Sequence, residues 1–371
     1  MLPEFWFLLI GVLWSGYFLL EGFDYGVGIL SPVVSRDEVD RSVALGTLGP
    51  LWDGNEVWLL VAGGATFAAF PEWYASMFSG FYLALFLILV GLILRGICIE
   101  YRHRVETARA RRWCDVGVFV GSLLPALLIG VAFADLMRGL EMDAQHVVTG
   151  GFFDLVTPYG LLGGVATLVL FTFHGAVFLA LKSTGEVRTR SVALTKVLGP
   201  AAVAVLALFL GWTALSYRAS AGSVVASLAV VAAVAVATLF ARRERDGWAF
   251  VGSAVAAVGL VATYFLALYP NVMPARDDSA FSLTIDNASS SDYTLKVMTV
   301  VALLLTPIVL GYQAWSYWVF RKRFSRDDVH APIPVPRPAA RSEAVVAAGA
   351  DASGSTGGAT GSGSGTSTGS A

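Results

Sequence analysis

Long apolar runs parted by short charged connections set the pattern of this chain from residue 5 to residue 320. A helix needs about 20 predominantly apolar residues to cross the hydrocarbon of a bilayer. Stretches of that kind fall at 5–33, 51–70, 75–101, 114–137, 158–181, 192–216, 222–241, 248–269 and 294–320. The pattern predicts an all-α polytopic membrane protein with nine transmembrane helices. The first and third stretches are long enough to tilt or to run past the bilayer. Residues 327–371 are a different material, Pro alternating with apolar residues and then Ala, Gly, Ser and Thr. Such a segment cannot bury a core. The chain therefore divides into a nine-helix transmembrane domain at 1–326 and a disordered tail at 327–371.

The basic residues give the expected orientation, because Lys and Arg concentrate in cytoplasmic connections. One set of connections carries Arg36, Arg41, Arg102, Arg104, Arg109, Arg111 and Arg112, then Lys182, Arg188, Arg190, Lys196, Arg242, Arg243 and Arg245, and finally Arg321, Lys322, Arg323 and Arg326. The alternate connections carry Arg138, Arg218, Arg276 and Lys296. Eighteen against four places the N-terminus outside and the C-terminus in the cytoplasm. Met1-Leu2-Pro3-Glu4 lacks a basic leader, so the first stretch reads as a retained helix and not as a cleaved signal. The outer connections at 138–157 and 270–293 are long enough to cap a partner. A faint repeat sets Glu21-Gly22 beside His174-Gly175, each followed by Leu-Gly-Pro (48–50 and 198–200) at the expected opening of the next helix.

Composition agrees with the membrane reading: 56% hydrophobic, 14% charged and mean hydropathy +0.69, where soluble domains carry about 25% charged residues. A net charge of −2 gives no reason to expect a nucleic-acid partner. Cys98 and Cys114 stand alone, with no Cys-x-x-Cys, which excludes a disulfide framework, covalent haem attachment and iron–sulfur ligation. Both are expected as free thiols in a reducing compartment.

Acids inside apolar runs are costly, and they are usually paired or line a polar path. Glu21 and Asp24 lie in the first run, and Asp53 and Glu56 sit between Trp52 and Trp58. Asp24 lies roughly 18 Å of helix from Arg36, and Arg95 roughly 10 Å from Arg102. Glu100 and Asp115 fall at the cytoplasmic ends of the third and fourth helices. Two readings compete for this set. One is a static ion pair, with Arg95 neutralising Asp24 or Asp53. The other is a hydrated proton or ion path from the cytoplasm. Asp53 is also placed to serve as a partner of the helix dipole. His174 alone among the histidines lies within an expected helix. No second one faces it, so a self-contained haem site is not expected and His174 reads as a buried polar partner.

Gly22-Phe23-Asp24-Tyr25-Gly26-Val27-Gly28 and Trp52-Asp53-Gly54-Asn55-Glu56-Val57-Trp58-Leu59 resemble subunit II of cytochrome bd-type quinol oxidases. Similar support comes from Ala62-Gly63-Gly64-Ala65, Phe78-Ser79-Gly80-Phe81-Tyr82, Gly121-Ser122-Leu123-Leu124-Pro125 and Val272-Met273-Pro274, over about residues 8–325. The resemblance implies two four-helix bundles plus one extra helix, and a heterodimer with a haem-bearing subunit I. It implies that subunit I holds the quinol site, two b-type haems and one d-type haem. Small single-helix accessory subunits and a structural quinone are compatible with it. The function implied for this subunit is assembly and a cytoplasmic proton path to the oxygen-reducing haem. Asp53 matches the acid of that path. Asp24, Arg95, Glu100 and Asp115 match further polar positions, and Glu56 stands where some members carry an amide. A stand-alone proton- or cation-coupled transporter would use the same acids, and a purely structural scaffold is the third reading.

Overall fold

Proline, capping side chains and buried glycines decide where the apolar runs become separate helices. The computed structural model describes residues 1–217 and 219–329. Arg218 and the segment 330–371, with His330, Arg337, Arg341 and most of the expected tail, lie outside the described residues. Helix α1 runs Leu2–Val34 and the short α2 Glu38–Gly46. Asp37 caps α2 by accepting the Asp40 amide at 2.8 Å, which satisfies one of the orphan donors of a first turn. Helix α3 runs Trp52–Ala69, and Pro71 opens α4, Pro71–Gly80, as suits a residue with no amide to donate. Then come α5 Tyr82–Tyr101, α6 Ala108–Arg138, α7 Pro158–Lys182, α8 Gly185–Ser216, α9 Ala221–Arg242, α10 Asp246–Leu268 and α11 Asp292–Val319.

Among the described residues eight helices, α1 and α5 to α11, are long and apolar enough to cross a membrane. The other expected stretch, 51–70, is α3, 18 residues long, whose opening turns spend their length on Trp52, Asp53, Asn55 and Glu56. The expected stretch at 75–101 is two helices that part at Phe81. Phe81 is buried, so no polar residue marks the break. Leu48-Gly49-Pro50 does precede α3, but Leu198-Gly199-Pro200 lies inside α8 and opens nothing. Helix α8 already starts at Gly185, and Pro200 sits within it.

Helix α1 lies at the centre, packed by α3, α6, α7 and α10. It crosses α7 where Gly26 meets Gly175. A Cβ on Gly26 would stand 2.7 Å from the Gly175 Cα and would strike the Phe171 carbonyl. Small residues at such a crossing let backbones touch and gain dispersion contacts that lipid cannot supply. Aromatic rings fill the layer above: Phe18 lies edge-on to Phe133 at 5.4 Å, and Phe133 stacks on Tyr264 at 5.1 Å. Each such pair adds about 0.5–1.5 kcal/mol beyond its buried area.

Helix α11 stands apart, with Leu295 its one fully buried residue. It is tied at both ends. At one, the Trp6 indole donates to Thr299 Oγ1 (3.0 Å) and Ser290 N donates to Ala69 O (2.8 Å). At the other, residues 320–329 fold back as a clasp. Phe324 N donates to Lys182 O at 2.7 Å, and Arg326 pairs with Asp37 at 2.8 Å and Asp40 at 2.7 Å. The clasp includes residues 327–329, where Asp328 accepts from the Ser325 hydroxyl at 2.6 Å. The connections 138–157 and 270–293 knit to each other. Leu140 N donates to Pro274 O at 3.0 Å, and Arg276 N donates to Leu140 O at 2.8 Å.

Candidate functional site

Residues three, four and seven apart share one face of a helix, so α1 presents Glu21, Asp24, Tyr25 and Gly28 together. All four are buried. Glu21 forms an ion pair with Arg95 of α5, whose side chain is 1% exposed. The guanidinium carbon of Arg95 lies 4.9 Å over the Tyr25 ring, and the Tyr25 hydroxyl shares a hydrogen bond with that of Tyr17. The expected partner of Arg95 was Asp24 or Asp53. The structure gives it Glu21, because α5 meets α1 one turn away from Asp24, and Asp53 is exposed.

Asp24 is tied instead to α3. Its Oδ2 accepts from Asn55 Nδ2 at 2.8 Å, while Oδ1 is buried without a protein partner. Asn55 is itself fully buried. Its Oδ1 accepts from the Tyr317 hydroxyl at 2.7 Å and from Gln313 Nε2 at 3.3 Å, both on α11. Beyond the Oε1–Nη2 ion pair, Oε2 of Glu21 and Nε and Nη1 of Arg95 also lack hydrogen-bond partners from the protein.

Asp53 and Glu100 are exposed and line one cavity of about 530 Å³, with Trp52, Tyr312, Gln313 and Ser316 in its wall. Gln313 belongs both to this wall and to the Asn55 network, so it joins the cavity to the buried carboxylate. Glu56, one turn along α3 from Asp53, is half-buried and has no ion pair among the described residues. Asp115 lies elsewhere. It pairs with Arg41 (3.1 Å) and Arg102 (2.7 Å) in a belt of ion pairs at the Arg-rich end, where Arg102 also meets Glu38 at 3.0 Å. The structure thus brings Asp24, Asp53, Glu56, Arg95 and Glu100 to one region around α3 and sets Asp115 apart.

Sequence reasoning noted Glu21 but gave it no place in the site, and it missed Asn55, Gln313 and Tyr317. A signal existed for Gln313, an amide inside an otherwise apolar last helix, with Tyr317 one turn on. Outside the spans, the clasp acids titrate low. The Asp40 amide and then the Arg326 guanidinium hold Asp37 below the usual range, and the Ser325 hydroxyl and Lys322 hold Asp328 at about 2.

His174 has both ring nitrogens engaged: Nδ1 with Ser253 Oγ at 2.7 Å and Nε2 with Leu19 O at 3.0 Å. Its ring stacks on Phe250. Neither nitrogen is open to a haem iron. Cys98 and Cys114 are free thiols. A second cavity of about 490 Å³ is lined by Trp14, Phe67, Trp73, Tyr74, Phe78 and neighbouring apolar side chains of α1 and α3 to α6.

The fold and its buried charges define a multi-pass helical membrane protein with an ionisable network around its central helix. The family described as cytochrome bd terminal oxidase subunit II matches residues 2–320. The chain is 41% identical over 335 residues to cytochrome bd ubiquinol oxidase subunit 2 of Bacillus subtilis, covering 88% of this chain and 98% of that one. It is 36% identical over 362 residues to cytochrome bd-I ubiquinol oxidase subunit 2 of Escherichia coli, with 87% and 95% covered. A chain in the structure of bd oxidase from Geobacillus thermodenitrificans shares the fold, with TM-score 0.71, 14% identity, and 86% of this chain and 98% of that chain covered. The chain belongs to the cytochrome bd oxidase subunit II family, and so to an oxidoreductase complex of the bacterial cytoplasmic membrane.

Proposed function

We propose that this chain is the subunit that admits protons from the cytoplasm to a quinol-oxidising, oxygen-reducing complex. The observation that carries the reading is the run from an open polar cavity to a buried acid. Asp53 and Glu100 stand in the cavity, Gln313 and Asn55 bridge inward, and Asp24 ends the line beside Glu21 and Arg95. Buried polar atoms without protein partners hold ordered water. Oδ1 of Asp24, Oε2 of Glu21 and the Nε and Nη1 groups of Arg95 mark where such water belongs. Asp53 collects a proton at the surface, Asp24 receives it, and Arg95 limits the cost of keeping carboxylates in the bilayer.

Nine spans follow if α3 crosses the membrane beside α11, with its polar first turns in the cytoplasmic half. The ion-pair belt and the clasp then face the cytoplasm, in line with the Arg distribution. The N-terminus lies outside, and the helices form two four-helix bundles plus one. The engaged nitrogens of His174 do not fit an axial haem ligand, which supports haems held by a partner subunit I; the family resemblance gives these as two of b type and one of d type. Those haems, when present, supply electron transfer and oxygen reduction. The apolar cavity between Trp14, Phe67 and Trp73 fits the isoprenoid tail of a structural quinone. Small single-helix accessory subunits fit the exposed apolar face of the helices. In the intact complex Asp24→Asn should cut oxygen consumption per haem several-fold at unchanged haem content. Full turnover would return Asp24 to a structural role.

A further inference from the structure

We infer that Tyr317 and Gln313 of α11 are positioning residues for Asp24, acting through the amide of Asn55. The inference rests on the proton-path reading and deepens it. Asn55 has one face toward α1 and one toward α11. An amide in that place can present its NH2 group or its carbonyl to Asp24, and the two choices differ sharply. A carboxylate accepts hydrogen bonds and, once ionised, donates none. The NH2 must therefore face Asp24, as it does at 2.8 Å. What selects that orientation is on the other side. The Tyr317 hydroxyl and the Gln313 NH2 both donate to Asn55 Oδ1, at 2.7 and 3.3 Å. Two donors on one oxygen hold the carbonyl toward α11 and the amide nitrogen toward α1.

The consequence lies on Asp24. Its Oδ2 is occupied by Asn55, and its Oδ1 is buried with no protein partner. The proton is therefore taken and released at Oδ1. The amide itself carries no proton, and the phenol of Tyr317 is committed to Asn55. The charged and titratable groups around Asp24 are Glu21 and Tyr25 on its own helix, Glu56 on α3, Arg95 on α5 and Tyr317 on α11. None of these donates to Oδ1 while both carboxyls are ionised, and Glu21 can share a hydrogen bond with Asp24 only when one of the two carries a proton.

Helix α11 is suited to this task and to little else in the core. Leu295 is its one fully buried residue, yet Gln313, Ser316 and Tyr317 are half-buried on the side that meets α3 and the polar cavity. The clasp at 320–329 follows Tyr317 directly and anchors it to α2, α7 and α10 through Arg326, Phe324 and Arg323. A helix with few packing contacts is thus held where its two donors reach Asn55.

The test uses the intact oxidase complex and compares Tyr317→Phe, Asn55→Leu, Gln313→Leu and Asp24→Asn. Two readouts are oxygen consumption per haem and the infrared carbonyl band of the protonated acid that disappears in Asp24→Asn. Tyr317→Phe keeps ring and volume and should lower turnover by about three- to tenfold, the range that one lost hydrogen bond permits. Asn55→Leu should lower it at least as far. In both, the Asp24 band should move to higher frequency, which a general packing defect would not cause. Wild-type turnover with an unmoved band in Tyr317→Phe and Asn55→Leu, while Asp24→Asn is slow, would overturn the positioning role alone. Full turnover in Asp24→Asn would remove the path beneath it. If Tyr317→Phe lost its haem, Gln313→Leu and Asn55→Leu carry the same comparison. Loss of haem in all three would assign these residues to packing and overturn the inference.

Discussion

Removing Arg95 should damage assembly before it damages turnover, and the structure says why. Arg95 and Glu21 are 1% and 0% exposed, so the pair is sealed from bulk solvent. Arg95→Met leaves Glu21 buried beside Asp24, with Tyr25 as its remaining neighbour across the cation site. Breaking a buried pair from one side costs about 3–5 kcal/mol, which at about 1.4 kcal/mol per factor of ten is two to three and a half powers of ten in the folded population. Replacing both partners by well-packed apolar side chains is often neutral. The double variant Glu21→Met, Arg95→Met should therefore assemble better than Arg95→Met alone. The assay is the yield of haem-loaded complex per unit of membrane, with oxygen consumption per haem measured on whatever assembles. A double variant that assembles worse than both single variants, with losses that add, would refute the pairing argument.

Three further outcomes follow from other parts of the fold. Gly26→Leu should prevent assembly, since its side chain would enter the α7 backbone at Phe171 and Gly175, and overpacking costs about 1–3 kcal/mol or more; Gly63→Ala, with nothing within 4 Å of the added carbon, should leave complex yield unchanged. The chain purified apart from its partner should show no b-type haem spectrum, because both nitrogens of His174 are engaged; a full haem band would overturn that. The clasp should be insensitive to pH above about 4, the unfolded carboxylate value, and should loosen as pH falls toward about 2, where Asp328 takes a proton. Folded acids held low give stability above the unfolded value and lose it on acidification. A spin label at Val329 should stay immobile down to pH 4, and mobility appearing near neutral pH would contradict the assignment.

The apolar runs were legible because bilayer thickness fixes their length, and the helices α6 to α11 fall where hydropathy places them. The break at Phe81 was not, since a buried aromatic at a helix junction looks like helix interior. Asp24, Asp53 and Arg95 stood out because charge in hydrocarbon is rare. The choice of Glu21 over Asp24 for Arg95 depends on the height at which α5 meets α1, which spacing along one chain does not encode. Asn55 and Tyr317 are 262 residues apart, and nothing in the sequence pairs them. Their roles appear only when α11 is laid against α3.

The central claim, that protons reach the complex through this subunit, is tested most directly at Asp53. It is exposed, lines the open cavity and makes no ion pair among the described residues, so Asp53→Asn keeps shape while removing the ability to carry a proton. The account predicts a complex with wild-type haem content whose oxygen consumption per haem is several-fold lower, matching the direction of Asp24→Asn. Wild-type turnover per haem in Asp53→Asn would contradict it.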